Sequence, residues 1–317
     1  MSSSMQTSPL QAEQEAETNP ELYQHFANLV SSLPSSKGLS NNQFYRHEHG
    51  WHCSQVPIVG AMVADACFAA RPSDIIVATL PKSGTTWMKA LLYATVHRGE
   101  HPPDAADHPF NSVGPHEIIK FFEYQLYTRN RVPNLDELPD PRLFATHVPF
   151  VSLPRIVAAS GCKIVYVCRD PKDHLVSQWD FANKFRVMDG LEPLPAEAAA
   201  ELFCDGLSPF GPYWYEEMQR DPAAHVRRLA EFVGIPFGDG EEDRAVDAIV
   251  RLCSFEHMSG LQATNAGKAD LMVGTVENSS FFRRGVVGDW ANHLSPETAR
   301  RIDAITETKF KNSGLSV

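Results

Sequence analysis

What the chain lacks narrows its class first. None of its 317 residues falls in an apolar run long enough to span a membrane. Its six cysteines, Cys53, Cys67, Cys162, Cys168, Cys204 and Cys253, have no CxxC spacing, so free thiols in a reducing compartment are expected rather than disulfides or zinc. Positive charge is in deficit: 28 Lys and Arg stand against 39 Asp and Glu, a net charge of −11. That balance argues against a surface that coats nucleic acid. The N-terminal stretch has no apolar signal core, and Glu13, Glu15, Glu17 and Glu21 do not suit an acid-poor transit peptide, so a cytoplasmic protein is expected. No internal repeat occurs, and residues 1–19 are polar enough to be read as a disordered tail. The group His47, His49, His52 and Cys53 matches no standard ligand spacing, and no metal is expected there.

What is present centres on residues 74–99. Ile75, Ile76, Val77, Ala78 and Leu80 predict a strand buried on both faces, as in the middle of a parallel sheet. Residues 81–86 (PKSGTT) make a turn, and Trp87, Ala90, Leu91 and Ala94 follow at helical spacing. A strand feeding a tight loop that opens a helix is an anion site, because free N–H groups and the positive end of the helix dipole face the same point. Lys82 adds a charge, and Ser83, Thr85 and Thr86 add hydroxyls, so a phosphate-like ligand is expected. The nucleoside-triphosphate loop GxxxxGK[ST] is absent, since Lys82 precedes Gly84 and no upstream glycine matches.

The remaining chain reads as α/β. Helices are expected from Pro20, over 221–234 and 241–252, and from 295. Residues 142–146 predict a second strand that delivers His147 at its carboxyl end, where open α/β sheets bind ligands. Residues 163–168 predict a third, buried strand ending in Arg169, with Asp170 and Pro171 set to start a helix that carries Ser177. Arg169 and Ser177 can share one anion. The segment 189–200 reads as a connection, and 260–280 as an irregular loop over the site. Phe281, Phe282, Arg283, Arg284 and Gly285 combine aromatic rings, guanidinium groups and a flexible backbone, which suits a purine beside a phosphate.

Four separated motifs, LPKSGTTW, THVP, RDPKDHLVS and FFRRGVVGDW, occur in the order found in cytosolic sulfotransferases. The chain resembles that family from about residue 22 to 303, and its wording is most similar to the plant branch. The resemblance implies a single α/β domain over residues 20–317, with a central parallel sheet flanked by helices in a P-loop-like sulfotransferase fold. It implies the co-substrate 3′-phosphoadenylyl sulfate (PAPS), no metal, and a small, largely apolar hydroxylated acceptor of phenolic, steroid-like or jasmonate-like type. By residue, Lys82, Ser83, Gly84, Thr85 and Thr86 would cradle the 5′-phosphosulfate, and Trp87 would stack near adenine. Arg169, Ser177, Arg283, Arg284 and Gly285 would hold the 3′-phosphate. Tyr215, Cys253 and Phe255 would contact adenine, beside Phe281 and Phe282. His147 would be the general base, with Lys82 stabilising charge on the oxygen that leaves with PAP, the bisphosphate product. The sequence gives no support for a homodimer and no sign of a nucleic-acid or membrane partner.

Three departures from the family pattern stand out. Arg284 replaces a lysine, and Ala145 stands where animal members have one. Residues 211–214 (GPYW) run straight into Tyr215 and Glu216, where family members carry a further helix and strand. One strand of the sheet is therefore expected to be missing, and the alternative expectation is an impaired or inactive member that at most binds PAP or PAPS.

Overall fold

The computed structural model describes residues 16–47, 50–148, 157, 160–210, 222–238, 242–270 and 275–310. The chain opens with helix α1 (Pro20–Ser31), whose first turn is capped by the Asn19 side chain accepting from Leu22 N at 3.1 Å. Just before it, Glu17–Thr18 pairs antiparallel with Arg131–Val132, inside the stretch expected to be a tail. A three-stranded antiparallel sheet follows: β1 (Ser35–Lys37), β2 (Gln43–His47) and β3 (Gly50–Cys53). Next comes helix α2 (Gln55–Cys67).

The site rests on a second sheet of four parallel strands. These are β4 (Ile75–Thr79), β5 (Lys120–Phe121), β6 (Leu143–Thr146) and β7 (Lys163–Val167), in the spatial order β5-β6-β4-β7. Strand β4 is central, with Ile75 opposite both Leu143 and Lys163. Its alternating side chains feed two cores. Ile76 packs with Phe144, α2 and helix α4 (Pro171–Met188) on one face. Ile75 and Val77 pack on the other face with helices α3 (Thr85–Val96), α6 (Pro222–Val233) and α7 (Glu242–Leu252). Helix α5 (Ala196–Cys204) and the closing helix α9 (Pro296–Phe310) cover the first face further out. The short helix α8 (Phe255–Gly260) follows α7.

Two readings of the sequence need correction. Residues 189–200 are not all connection, because α5 starts at Ala196. The segment 260–280 is not a structureless loop: it holds an antiparallel hairpin, Lys268–Asp270 with Thr275–Glu277. The third expected strand is present but less buried than expected. Strand β7 is the last strand of its sheet among the described residues, and Tyr166 is 37% exposed. The junction at Trp214 and Tyr215 lies outside the described residues.

A buried ion pair fixes the base of the sheet. Arg142 Nε and Nη2 donate to Asp74 Oδ1 and Oδ2 at 2.7 and 2.6 Å, joining the residues just before β6 and β4. Arg142 also donates to the carbonyls of Leu135 and Ala69, and Asp74 accepts from Arg71 N. The two side chains are 1% and 0% exposed, so removing one partner strands a buried charge. Arg142→Ala is expected to destabilise the fold by about 3–5 kcal/mol, measured by urea denaturation. The effect should be confined to stability, since neither side chain lines the cavity at the carboxyl ends of the strands.

Candidate active site

All four parallel strands end on the same side of the sheet, and the loops that leave those ends enclose a cavity of about 900 Å³. His147, Lys82, Ser83, Gly84, Thr85 and Thr86 line it, as do Trp87, Arg169, Ser177, Cys253 and Phe255. Phe281, Phe282, Arg283, Arg284 and Gly285 complete the expected set. Every expected site residue therefore reaches one cavity except Tyr215, which lies outside the described residues.

The loop after β4 turns at Gly84, whose φ of +104° is the left-handed conformation glycine adopts without strain. The turn places the N-terminus of α3 at the cavity wall. Lys82 Nζ sits 4.2 Å from the Phe181 ring centroid and 3.4 Å from the Ser280 carbonyl, bridging this loop to the C-terminal motif. Burial, aided by Lys184, Arg169 and Arg283 and opposed by Asp180, pushes Lys82 down to about 7. A bound polyanion would reverse that push and hold the ammonium charged.

Helix α4 starts as its sequence expects. Pro171 takes the first turn, and the Asp170 carboxylate accepts from Lys172 N at 2.8 Å and Asp173 N at 3.2 Å. Arg169 Nη1 donates to the Lys82 carbonyl at 3.2 Å, which ties the ends of β7 and β4 together. Asp173, an acidic first-turn residue in the sequence, has a second task. Its carboxylate accepts from Gly288 N at 2.6 Å and Trp290 N at 3.0 Å, clamping the C-terminal motif against α4. Within that motif Arg283 and Arg284 both pair with the buried Asp289. Gly285 has φ +66°, and a Cβ there would lie 2.4 Å from the Phe255 ring, so glycine is required on two counts. The Phe255 and Phe282 rings stand edge to face at 5.9 Å and line the same cavity as these guanidinium groups.

His147 is held in one protonation state. Its Nδ1 lies 2.6 Å from the Thr79 carbonyl, which can only accept, so Nδ1 carries the proton. The Nε2 lone pair is then free to accept. Burial is the largest cause driving the imidazole down to about 3, with Lys89 and Lys82 adding to it and the Thr79 hydrogen bond opposing it. The neutral base form therefore dominates near pH 7. Beneath it, the buried Glu123 carboxylate accepts from His147 N at 2.7 Å and Thr146 Oγ1 at 3.0 Å, fixing the backbone that carries the ring. Rings of Phe121, Tyr124 and Phe210 surround the imidazole at 4.5, 5.8 and 5.9 Å. Phe121 and Tyr124 line the cavity as well and give its His147 end an apolar wall.

Sequence reasoning missed Glu123, Phe181 and the loop-binding role of Asp173, whose partners are distant in the chain. It also missed Lys89 and His116, although a lysine within the apolar run from Met88 to Leu92 was a visible signal. Ala145 is fully buried on β6 and adds no charge.

The chain is similar to known proteins. The family profile described as "Sulfotransferase domain" matches residues 72–214 and 215–314, two stretches that meet at the Trp214–Tyr215 junction. Cytosolic sulfotransferase 5 of Arabidopsis thaliana is 38% identical over 310 aligned positions, covering 90% of this chain and 94% of the relative. Cytosolic sulfotransferase 8 of the same plant is 39% identical, over 91% of this chain and 92% of its own. The first alignment is longer than the part of this 317-residue chain it takes in, so that relative carries residues this chain lacks. Among solved structures, an Arabidopsis thaliana sulphotransferase is 34% identical with a TM-score of 0.72, covering 94% of this chain and 97% of its own. Mouse sulfotransferase SULT7A1, solved with PAP, is 25% identical with a TM-score of 0.60, over 86% of this chain and 96% of its own.

Proposed function

The chain belongs to the sulfotransferase family and is a PAPS-dependent sulfotransferase, and from that premise we propose that His147 is its general base and that its acceptor is a small, largely apolar molecule bearing a hydroxyl. The observation that carries this reading is the fixed His147 tautomer, with Nδ1 on the Thr79 carbonyl and Nε2 left to accept beside apolar walls.

In this reading PAPS supplies the sulfuryl group, and the residues of this chain hold it and receive the acceptor. Lys82 to Thr86 bind the 5′-phosphosulfate by N–H, hydroxyl and ammonium donors. Arg169, Ser177, Arg283, Arg284 and Gly285 bind the 3′-phosphate. Trp87, Cys253, Phe255, Phe281 and Phe282 flank adenine, joined by Tyr215 from outside the described residues. The Nε2 of His147 takes the acceptor hydroxyl proton as oxygen attacks sulfur. Charge then gathers on the oxygen that leaves with PAP, where Lys82 stabilises it electrostatically. This chemistry needs no metal. The polar walls fit a bisphosphate nucleotide, and Phe255 and Phe282 offer aromatic surface for its base. The sulfotransferase domain is proposed to span residues 20–317, with the paired strand Glu17–Thr18 just before it. A cytoplasmic location is proposed too, in keeping with the names of the Arabidopsis relatives.

The test is calorimetric titration with PAP and with ATP, followed by sulfuryl transfer from PAPS over a panel of phenolic, steroid-like and jasmonate-like alcohols. PAP binding with transfer is expected, and a preference for ATP would overturn the reading. Arg169→Ala is expected to weaken PAP binding by about 1.5–3 kcal/mol, the loss of a charge-assisted contact. Unchanged affinity would remove Arg169 from the 3′-phosphate site. A second reading, an impaired member that binds PAP without efficient transfer, is favoured by the family match that breaks between residues 214 and 215.

A further inference from the structure

Behind the first turn of α3, which holds Thr86, runs a line of polar groups buried on the inner side of that helix. Lys89, one turn after Thr86, is 0% exposed. Its Nζ donates to the Ile119 carbonyl at 2.9 Å, lies 3.2 Å from His116 Nδ1, and sits 3.3 Å from the centre of the Phe121 ring. On the far side of the imidazole, His116 Nε2 lies 2.8 Å from Thr86 Oγ1. The imidazole is fixed by its surroundings. Gln125 Nε2 donates to the His116 carbonyl at 3.0 Å, and the Phe121 and Phe281 rings lie 5.6 and 5.0 Å from its own. Thr86 and His116 both line the cavity.

The direction of this line follows from donor chemistry. An ammonium has three donors and no acceptor. Burial pulls Lys89 well below its ordinary value and Lys120 adds to that, while the Glu123 and Glu117 carboxylates and the Phe121 face at 3.3 Å favour the charged form. In its ammonium form Lys89 donates to His116 Nδ1, and the imidazole keeps its single proton on Nε2. That proton is given to Thr86 Oγ1, which accepts it. The hydroxyl hydrogen of Thr86 is then not needed by His116 and turns toward the cavity.

We propose that Lys89 and His116 are positioning residues that act through Thr86, forming a one-way relay, Lys89 to His116 to Thr86, that turns the Thr86 hydroxyl into a fixed donor aimed at the anionic end of the co-substrate. The proposal rests on the reading of residues 82–86 as the phosphosulfate cradle. A threonine hydroxyl at a surface rotates among acceptors, whereas this one has its accepting side occupied before the ligand arrives. The donor is preorganised, and no proton changes owner during the reaction. The arrangement also carries part of the Lys89 charge to the cavity wall without exposing the ammonium to water.

Three measurements test this. Nitrogen-15 NMR of the full chain with labelled histidine reads the His116 tautomer directly, with and without PAP. The Nε2–H form is expected in both, and an Nδ1–H form overturns the relay. Lys89→Met keeps the bulk over Phe121 and removes the donor, so PAP affinity should fall about tenfold. In a Thr86→Val background the same change should cost nothing further, because its route to the ligand is gone. A full additional loss in that background would mark Lys89 as merely structural. His116→Gln, which retains an N–H for Thr86, should bind PAP better than His116→Phe, and equal binding by the two overturns the proposal. If the unmodified chain binds no PAP, the cradle reading fails, while the tautomer of the free protein still decides the relay.

Discussion

His147→Ala is expected to cut sulfuryl transfer by about 10²–10⁴-fold, the usual worth of a positioned general base, while PAP affinity stays near that of the unmodified protein. The separation follows from geometry. The His147 ring contacts the Thr79 carbonyl and the aromatic rings of Phe121, Tyr124 and Phe210, on the apolar side of the cavity. The groups proposed to bind the anion belong instead to the loop after β4, the start of α4 and the C-terminal motif. The pH profile gives an independent reading. An imidazole at about 3 is neutral throughout pH 5–8, so kcat should show no acid limb near pH 6.5, the ordinary histidine value. The sign for stability is opposite in consequence. The unfolded chain takes up this proton near pH 6.5 and the folded one only near 3, so the folded state loses stability as pH falls through that window. A His147→Ala variant that kept most of its turnover would make the residue structural, and an acid limb near 6.5 would mean that its burial is relieved when substrates bind.

Much of this was legible in the chain. Strands β4, β6 and β7 announce themselves as short β-branched or aromatic runs bounded by turn residues, and Asp170-Pro171 marks the start of α4 where the structure has it. Helix α2 was hidden because Pro57 and Gly60 look like breakers. Pro57 lies in the first turn, where a missing N–H costs nothing. Gly60 is there because a Cβ would lie 2.6 Å from the Tyr127 carbonyl oxygen and 2.7 Å from that of Glu123. The requirement is set by a partner segment some sixty residues away, and no local pattern reveals it. The same holds for Glu123 under His147 and for Asp173 under the Gly288 and Trp290 amides. Motifs showed which residues line the cavity. The residues that hold those motifs in place are single polar side chains in apolar surroundings, and only the fold shows what they touch.

Inserting a family-like strand segment between Trp214 and Tyr215 is expected to raise the melting temperature by about 5 °C or more and to tighten PAP binding. Strand β7 carries the reason. A strand inside a parallel sheet is covered on both faces and bonded along both edges, yet the Ile164 and Val165 side chains are only half-buried here and Tyr166 is 37% exposed. β7 is also the last strand of the sheet among the described residues. The family match divides at the point where the sequence runs from GPYW into Tyr215. A segment docking along β7 would cover apolar surface at roughly 25 cal/mol per Å² and satisfy backbone groups along the edge. It would also support Arg169, which leaves the carboxyl end of β7 and donates to the Lys82 carbonyl, so the gain should reach the anion site. The comparison needs both proteins at one concentration, with melting followed by circular dichroism and PAP binding by calorimetry. Gains in both would assign the weakness of the present chain to the absent strand and support the reading of an impaired enzyme. Equal melting and equal affinity would mean that the sheet closes well without the segment, and the chain should then transfer sulfuryl groups as it stands.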